Sequence, residues 1–407
     1  MRYAIVNLGC KVNRVESDSF AASLNAHGCE SAPVAEADLI VVNTCTVTGE
    51  AEKKTRKTVH RALRENERAT VVVTGCAAAI DAEAFTSMDA RVRVMGKAEL
   101  ASAIDAGAWG GAGAHGDALP VGEGFRTRVG VKVQDGCNNA CTYCIVHVAR
   151  GEATSVDADR VIAQCRALEQ AGVAEIVLTG INLGSYFWRG SGGDIRLADL
   201  LRRLLDETCA PAPGRTHPVR FRIGSIEPCD IDDAFVDVLA TSGGRVCRHL
   251  HLPLQSGSTR VLAEMNRPYT AEQFTDLVDS LYARVPELSL STDIICGFPG
   301  ETEDDFERTL DVAKRCRFSK IHVFPYSQRA GTPAAARADQ VAPSEKADRA
   351  RRLRELAAKL RESELERRAG TRELAVVEGE GTALTESYFE VEPPCGALPG
   401  DVVEVAL

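Results

Sequence analysis

The chain has 407 residues, 44% of them hydrophobic, enough for two or three hydrophobic cores. A formal net charge of −10 excludes a basic field over the whole molecule, so any contact with nucleic acid must come from local patches. Fourteen cysteines scattered over this length exclude a small disulfide-framed secreted domain and point to metal or thiol chemistry in a reducing compartment.

The start, Met1 to Asn7, reads as a strand and lacks the long apolar core of a signal peptide. No run approaches the roughly 20 apolar residues of a membrane helix. The expectation is a cytoplasmic protein with no membrane partner.

Three short apolar runs lead the chain: Arg2–Asn7, Leu39–Asn43 and Thr70–Thr74. Helical periodicity follows the first two, over Glu16–His27 and Glu50–Arg64. Strand, helix, strand, helix predicts a parallel sheet, in which ligands bind beyond the carboxyl ends of the strands. Cys10, Cys45 and Cys76 each fall one to three residues past a strand end. Three thiolates converging on one edge can hold three irons of a 4Fe-4S cluster and leave the fourth open. Buried small hydrophobes are the competing reading, which three equivalent offsets make the weaker one. Ala101–Gly124, rich in Gly and Ala, reads as a linker.

The most informative stretch is Gly136-Cys137-Asn138-Asn139-Ala140-Cys141-Thr142-Tyr143-Cys144. Its Cys-x3-Cys-x2-Cys spacing again suits a cluster with an open iron, able to bind and reduce a small molecule. Structural zinc needs a fourth ligand, and His147 is the nearest candidate. The other eight cysteines (29, 165, 209, 229, 247, 296, 316 and 395) show no ligand spacing and are expected to be core or incidental.

From Arg128 strand and helix patterns alternate through Val129–Val133, Glu175–Thr179, Arg220–Ile223, His249–Leu252, Leu288–Ile295 and Lys320–Pro325. Six such units predict a partial barrel open on one side. Gly180, Asn182, Ser225, Glu227 and Gln255 fall at or beyond strand carboxyl ends, where such barrels build their sites, and are the candidate cofactor-binding residues. Glu227 either accepts ribose hydroxyls or pairs with Arg220 or Arg222. Asp293, inside an apolar strand, either faces the site or pairs with a nearby Arg or His. His249 and His251 share a strand face and read as hydrogen-bonded core residues.

Pro343–Arg368 is a long mixed-charge helix pattern with nine basic residues. Lys53-Lys54-Thr55-Arg56-Lys57, extended by Arg61, Arg64 and Arg68, forms a second basic helix near Cys45. It is either a solvated face or a phosphate-binding surface. Short strand patterns at Glu373–Glu378, Ala383–Thr385, Tyr388–Val391 and Val402–Val405 suggest a small β appendage, an RNA holder or a packing cap.

The Cys137-x3-Cys141-x2-Cys144 run resembles the radical S-adenosylmethionine signature. Together with Leu8-Gly9-Cys10-Lys11-Val12-Asn13, the Val42–Thr48 stretch and Thr74-Gly75-Cys76, the whole chain resembles the methylthiotransferases. Gly9–Asn13 and Leu178–Tyr186 are similar to the branch acting on threonylcarbamoyladenosine beside the tRNA anticodon. The resemblance implies an N-terminal α/β iron–sulfur domain over 1–108, a linker over 109–126 and a radical S-adenosylmethionine partial (βα)6 barrel over 127–342. A helical connection over 343–369 and a short TRAM-like β domain over 370–407 complete the implied organisation. It implies two 4Fe-4S clusters, on Cys137, Cys141 and Cys144 and on Cys10, Cys45 and Cys76, with all six cysteines catalytic.

The implied chemistry splits S-adenosylmethionine to a 5′-deoxyadenosyl radical, which takes hydrogen from carbon 2 of the adenine. The second cluster would carry the sulfur, methylated by a further S-adenosylmethionine. The implied partners are tRNA, S-adenosylmethionine and a flavodoxin- or ferredoxin-type electron donor, with the chain a monomer. The sister branches, for isopentenyladenosine of tRNA and for a ribosomal-protein aspartate, are the alternatives, and a non-catalytic metal-containing RNA-binding protein is one of another class. The sequence departs from the family after Cys144. His147 stands where a Pro is usual, and Arg150-Gly151 is followed by Glu152-Ala153 in place of further arginines.

Overall fold

The computed structural model describes residues 1–46, 49–110, 118–190, 193–211 and 216–407. Val47 and Thr48 of the second cysteine motif and 111–117 of the expected linker lie outside the described residues. The chain forms two compact units. The first holds Met1–Phe125, Gly136–Asn138 and Cys144–Glu152; the second holds Arg126–Asp135, Asn139–Tyr143 and Ala153–Leu407.

In the first unit β1 (Arg2–Asn7), α1 (Lys11–Ala26), β2 (Glu30–Ser31), β3 (Leu39–Thr44), α2 (Gly49–Glu65) and β4 (Thr70–Gly75) follow in order. After them come α3 (Cys76–Ile80), α4 (Ala82–Thr86), β5 (Val92–Val94) and α5 (Lys97–Asp105). The sheet order is β2-β1-β3-β4-β5, with every pairing parallel. Every residue of β3 is buried, which is why a continuous apolar run marks it in the sequence.

One core packs Ile40, Val42, Val71 and Val73 against Val59 and Leu63 of α2. The other face packs Leu39, Val41 and Val72 against Phe20 and Leu24 of α1 and Leu100 and Ile104 of α5. Two expectations change here. The first helix starts at Lys11, directly after Cys10, because a left-handed Gly9 (φ +121°) turns the chain straight into it. The expected linker from Ala101 is helical as far as Asp105, since Leu100 and Ile104 at i,i+4 bury against the sheet and outweigh the Gly/Ala composition.

The second unit opens with β6 (Arg128–Lys132) and β7 (Gln134–Asp135). The short helix α6 (Val146–Arg150), which belongs to the first unit, precedes β8 (Thr154–Ser155). Then follow α7 (Ala158–Gln170), β9 (Glu175–Thr179), β10 (Phe187–Gly190), β11 (Gly193–Arg196), α8 (Leu197–Glu207) and β12 (Arg220–Ile223). The series continues with α9 (Asp233–Thr241), β13 (His249–His251), α10 (Thr259–Glu264), α11 (Ala271–Arg284), β14 (Ser289–Cys296), α12 (Glu303–Arg315) and β15 (Lys320–Pro325).

β6-β9-β12 and β13-β14-β15 are parallel sheets, joined by the parallel bridges Phe221↔Val246 and Ser225↔His251. The six strands expected of a partial barrel are thus present in the order β6-β9-β12-β13-β14-β15. The hairpin β10–β11 and helix α10 were not expected.

The chain ends with α13 (Pro343–Arg368) and an antiparallel sheet built from β16 (Arg372–Val377), β17 (Ala383–Thr385), β18 (Glu390–Val391) and β19 (Val402–Ala406). The third of these strands is shorter than expected because Tyr388 adopts φ +73° and turns the chain. This sheet attaches to the amino ends of the barrel strands through buried arginines. Arg220 donates to the carbonyls of Leu374 and Leu384, and Arg222 to those of Thr385 and Glu386. Among the described residues, no helix is long and apolar enough to cross a membrane.

Candidate functional site

In the first unit Cys10, Cys45 and Cys76 follow β1, β3 and β4, which are neighbours in the sheet. The three thiols therefore leave the carboxyl edge side by side. Cys45 and Cys76 are buried and Cys10 is exposed. The edge is shaped to bring Cys45 close: a Cβ on Gly9 would stand 2.6 Å from Cys45 Cβ and 2.9 Å from its Sγ.

Asn13, fully buried, ties the strand ends together. Its Nδ2 donates to the carbonyls of Leu8 (3.0 Å) and Thr44 (2.7 Å), and Cys10 Sγ lies 3.8 Å from its Oδ1. Arg150 on α6 reaches the same edge. Its Nε donates to Cys76 Sγ at 3.3 Å, its Nη2 to Asn13 Oδ1 at 2.5 Å and its Nη1 to Glu16 Oε1 at 3.1 Å. Buried Glu16 also holds Lys97, so the guanidinium is fixed by a carboxylate while its Nε faces sulfur.

The loop Cys137–Cys144 contributes to both units. In the first, Cys137 N donates to Gly151 O (3.1 Å) and Val146 N to Cys144 Sγ (3.4 Å). Gly136 (φ +70°) admits no side chain, since a Cβ would lie 1.9 Å from Glu152 O.

In the second unit the stretch Asn139–Tyr143 is pinned beside α10. Thr142 N donates to Met265 O (3.1 Å), Thr142 Oγ1 to Glu264 O (2.9 Å) and Asn266 Nδ2 to Ala140 O (2.9 Å). Cys141 is buried, and Arg267 Nη1 donates to its Sγ at 3.2 Å. Arg267 also pairs with Glu227 and donates to Tyr269 Oη (3.1 Å), whose hydroxyl donates to Pro253 O at 2.7 Å.

Burial pushes the Glu227 carboxyl above its usual range, with the Arg267 charge working against that shift. Burial likewise lifts the Tyr143 hydroxyl well above ten. The expectation that Glu227 pairs with Arg220 or Arg222 is corrected. Those arginines hold Glu175 from the amino ends of β9 and β12, four or more residues below Glu227 along the strand.

Gly180 and Asn182 follow β9. A Cβ on Gly180 would meet Gln134 Oε1 at 2.8 Å, and Asn182 N donates to that oxygen at 2.9 Å. Asn182 is 7% exposed and its Oδ1 has no hydrogen-bond partner. Ser225 bridges to His251, and Gln255, at φ +66°, bridges to Ile294. These residues all belong to the carboxyl side of the strand array.

The donor set fits iron–sulfur clusters: six cysteines offer sulfur in two sets of three, and guanidinium groups donate to the sulfurs of Cys76 and Cys141. The orphaned Asn182 Oδ1 suits a polar cofactor at that edge. By contrast, burial raises the thiols of Cys165 (to about 12), Cys247 (to about 11), Cys296 (to about 12) and Cys316 (to about 12), as expected of neutral core residues.

The contacts of Asn13, Glu16, Arg150 and Arg267 were missed in the sequence, where Asn13 and Arg150 stood only as parts of quoted motifs. Replacing Arg267 by Met removes a cationic donor from Cys141 Sγ. The expected result is a more negative midpoint potential for one cluster, read by EPR-monitored redox titration. An unchanged midpoint would show that Arg267 does not act on that sulfur.

Residues 131–313 match the Radical SAM superfamily, and residues 2–96 match the family described as Uncharacterized protein family UPF0004. The chain is 39% identical to the threonylcarbamoyladenosine tRNA methylthiotransferase MtaB of Bacillus subtilis (strain 168), over 86% of this chain and 79% of that protein. It is 32% identical to the protein of the same description from Aquifex aeolicus (strain VF5), over 100% of both. Among solved structures it resembles the radical S-adenosylmethionine methyltransferase TsrM from Kitasatospora setae, with TM-score 0.54 at 17% identity over 82% of this chain and 77% of that one. That likeness is one of fold. The relatives align across most or all of their length and take in both halves of the cysteine array, and the chain belongs to the radical S-adenosylmethionine methylthiotransferase family.

Proposed function

We propose that the chain adds a methylthio group to carbon 2 of N6-threonylcarbamoyladenosine at position 37, next to the tRNA anticodon. The observation that carries this reading is the row of Cys10, Cys45 and Cys76 on three adjacent strand ends, in the unit that also holds Cys137 and Cys144. A second set of three cysteines, able to hold a cluster with an open iron, suits a reaction that must also deliver sulfur. The relatives named above supply the substrate. A second substrate is kept because the chain is also 34% identical to the tRNA-2-methylthio-N(6)-dimethylallyladenosine synthase of Carboxydothermus hydrogenoformans, over 87% of this chain and 82% of that protein.

Family membership brings S-adenosylmethionine and a 4Fe-4S cluster, for which Cys137, Cys141 and Cys144 are the proposed ligands; Cys10, Cys45 and Cys76 are the proposed ligands of a second. Bound there, S-adenosylmethionine and the first cluster would supply the one-electron chemistry needed to remove an unactivated hydrogen from carbon 2. The chain's own share is positional. Arg267 fixes Cys141 and Arg150 fixes Cys76. Gly180, Asn182, Ser225, Glu227 and Gln255 line the carboxyl edge where the cofactor is proposed to lie. A flavodoxin- or ferredoxin-type protein is the proposed electron donor, and the chain is proposed to work as a cytoplasmic monomer. Within it, 1–108 would carry the sulfur-donating cluster, 127–342 the radical chemistry and 370–407 an accessory RNA contact.

The test is nucleoside mass spectrometry of tRNA from a host lacking its own methylthiotransferases, with and without this chain. New 2-methylthio-N6-threonylcarbamoyladenosine establishes reaction and substrate together. A methylthio group on isopentenyladenosine instead keeps the chemistry and overturns the substrate. No change in any tRNA nucleoside, with both clusters intact, moves the search to ribosomal proteins.

Helix α2 is the proposed phosphate contact. Arg56 is engaged by Glu52 (3.5 Å) and Asp81 (3.1 Å), whereas Lys53, Lys57, Arg61 and Arg64 are exposed at i, i+4 and i+3 spacings on one face. Replacing Lys53, Lys57 and Arg61 together by Glu is expected to weaken tRNA binding and to lower the slope of log affinity against log salt by about 1 per lost contact. An unchanged slope removes this face from the RNA path.

A further inference from the structure

A polar cluster distinct from the cysteines adjoins the proposed cofactor contacts, with Ser225 bridging to His251 and Gln255 N donating to Asp293 O. His251, Asp293 and His322 lie on the adjacent strands β13, β14 and β15, and one ring nitrogen from each histidine and one Asp293 carboxylate oxygen fall within 4.8 Å of one another. Asp293 pairs directly with His322 in the parallel register, and His251 Nε2 stands 3.3 Å from Asp293 Oδ1. The two imidazole centroids are 5.7 Å apart.

The cluster is held from below. Ser291 Oγ lies 2.9 Å from His251 Nδ1 and 3.0 Å from His249 Nε2, which fixes the His251 ring and turns its Nε2 edge toward Asp293. Strand alternation puts these residues on the face opposite Leu250, Leu290, Ile294 and Ile321, which are buried. His251 and Asp293 are half-buried and His322 is exposed, so the group is open to a ligand. It also belongs to the cysteine-bearing side of this unit. The Asp293 charge is felt at Glu227, and Glu227 holds the Arg267 that donates to Cys141.

The chemistry of the two substrate types differs most at this kind of wall. A threonylcarbamoyl group carries a urea N–H and C=O, a hydroxyl and a carboxylate. A dimethylallyl group is hydrocarbon and would desolvate three polar side chains while returning no hydrogen bond. His322 can turn a ring N–H to the carboxylate or carbonyl, and Asp293, positioned by His251, can accept from the hydroxyl or urea N–H. We propose that His251, Asp293 and His322 form the subsite that reads the polar N6 side chain of the substrate adenosine and so sets which modified tRNA is accepted. This rests on the threonylcarbamoyladenosine reading above.

The experiment uses the full-length chain with its clusters reconstituted anaerobically. It measures affinity for anticodon stem-loop RNAs bearing adenosine, threonylcarbamoyladenosine or isopentenyladenosine at position 37. The wild type is expected to prefer the threonylcarbamoyl RNA over the plain one by about tenfold to a hundredfold, as hydrogen bonds to a charged group allow. His322→Leu and, separately, His251→Leu should bring that ratio close to one, and His322→Gln, which keeps a donor, should retain most of it. His322 is exposed, so its substitution tests recognition and not folding.

Ratios unchanged in both Leu variants overturn the inference. So does a parallel loss of S-adenosylmethionine affinity, which would make the cluster a cofactor contact. A stoichiometric divalent ion in the wild type that disappears in His322→Leu also overturns it, because the cluster would then be a metal seat. A wild type that binds and methylthiolates the isopentenyl RNA instead overturns the substrate reading itself, a different outcome from all three.

Discussion

Replacing Cys144 by alanine is expected to abolish formation of 5′-deoxyadenosine, whereas replacing Cys45 by alanine is expected to spare it and eliminate only the methylthio product. The split follows from geometry. Cys144 is the last proposed ligand of a loop whose neighbours are set by backbone, with Val146 N on its sulfur and Cys137 N on Gly151 O. A missing thiolate there removes one of three ligands from the proposed electron-delivering cluster, and no other cysteine of the loop can replace it. Cys45 belongs to the other set, between Cys10 and Cys76 on the parallel sheet. Alanine keeps the Cβ that packs over Gly9, so the sheet edge survives and the lost function is that of the sulfur alone.

Iron content provides the second readout for the same pair. The wild type should hold about eight irons and each variant about four, as two 4Fe-4S clusters require. A Cys45→Ala protein that still methylthiolates its tRNA would sink the assignment of the N-terminal cysteines. A Cys144→Ala protein that still makes 5′-deoxyadenosine would sink that of the loop.

The strand-end placement of Cys10, Cys45 and Cys76 was legible because its signals are local. Each N-terminal cysteine closes a short apolar run, and an apolar run that ends in a polar or Gly residue marks a strand end without knowledge of the fold. The sheet order that makes β1, β3 and β4 neighbours follows from parallel connectivity. The arginines that act on the sulfurs were not legible. Arg150 meets Asn13 across 137 residues of sequence, and Arg267 meets Cys141 across 126. An arginine looks the same in the sequence whether it ends in water or on a sulfur, and only the tertiary fold decides.

The pairing of Glu227 with Arg220 or Arg222, one of its two readings, failed for a related reason. Proximity in sequence favoured Arg220 and Arg222, but strand direction sends those two to the far end of the barrel and leaves Glu227 at the cysteine end beside Arg267. The His251–Asp293–His322 group was half legible: the pairing of Asp293 with a histidine was among the expectations, while the second histidine comes from a strand met only in the register of β14 with β15.

The far end of the barrel gives the second large effect: replacing Glu175 by alanine is expected to destabilise the second unit by about 3–5 kcal/mol, the usual cost of leaving buried charge without its partner. Glu175 is fully buried and accepts from Arg220 Nε at 2.7 Å and from Arg222 Nε at 2.6 Å, with Arg128 Nη1 at 3.6 Å. The same arginines carry the C-terminal sheet on their remaining donors, so one carboxylate neutralises the joint between sheet and barrel. At a urea slope of about 2–3 kcal/mol per M, the unfolding midpoint should fall by more than about 1 M.

The pH dependence has a fixed sign. Burial alone would raise the Glu175 carboxyl, but the arginines win and hold it far below the usual carboxylate range. A depressed native value means stability that is fully present above the unfolded value of about 4.3 and is lost as pH falls from there toward the native value. The gap between wild type and Glu175→Gln should therefore be constant from pH 8 to pH 5 and should narrow at pH 3.5, measured as urea midpoints in parallel. A gap unchanged at pH 3.5 would mean that the ionised carboxylate contributes nothing, and that the arginines hold the C-terminal sheet through backbone carbonyls alone.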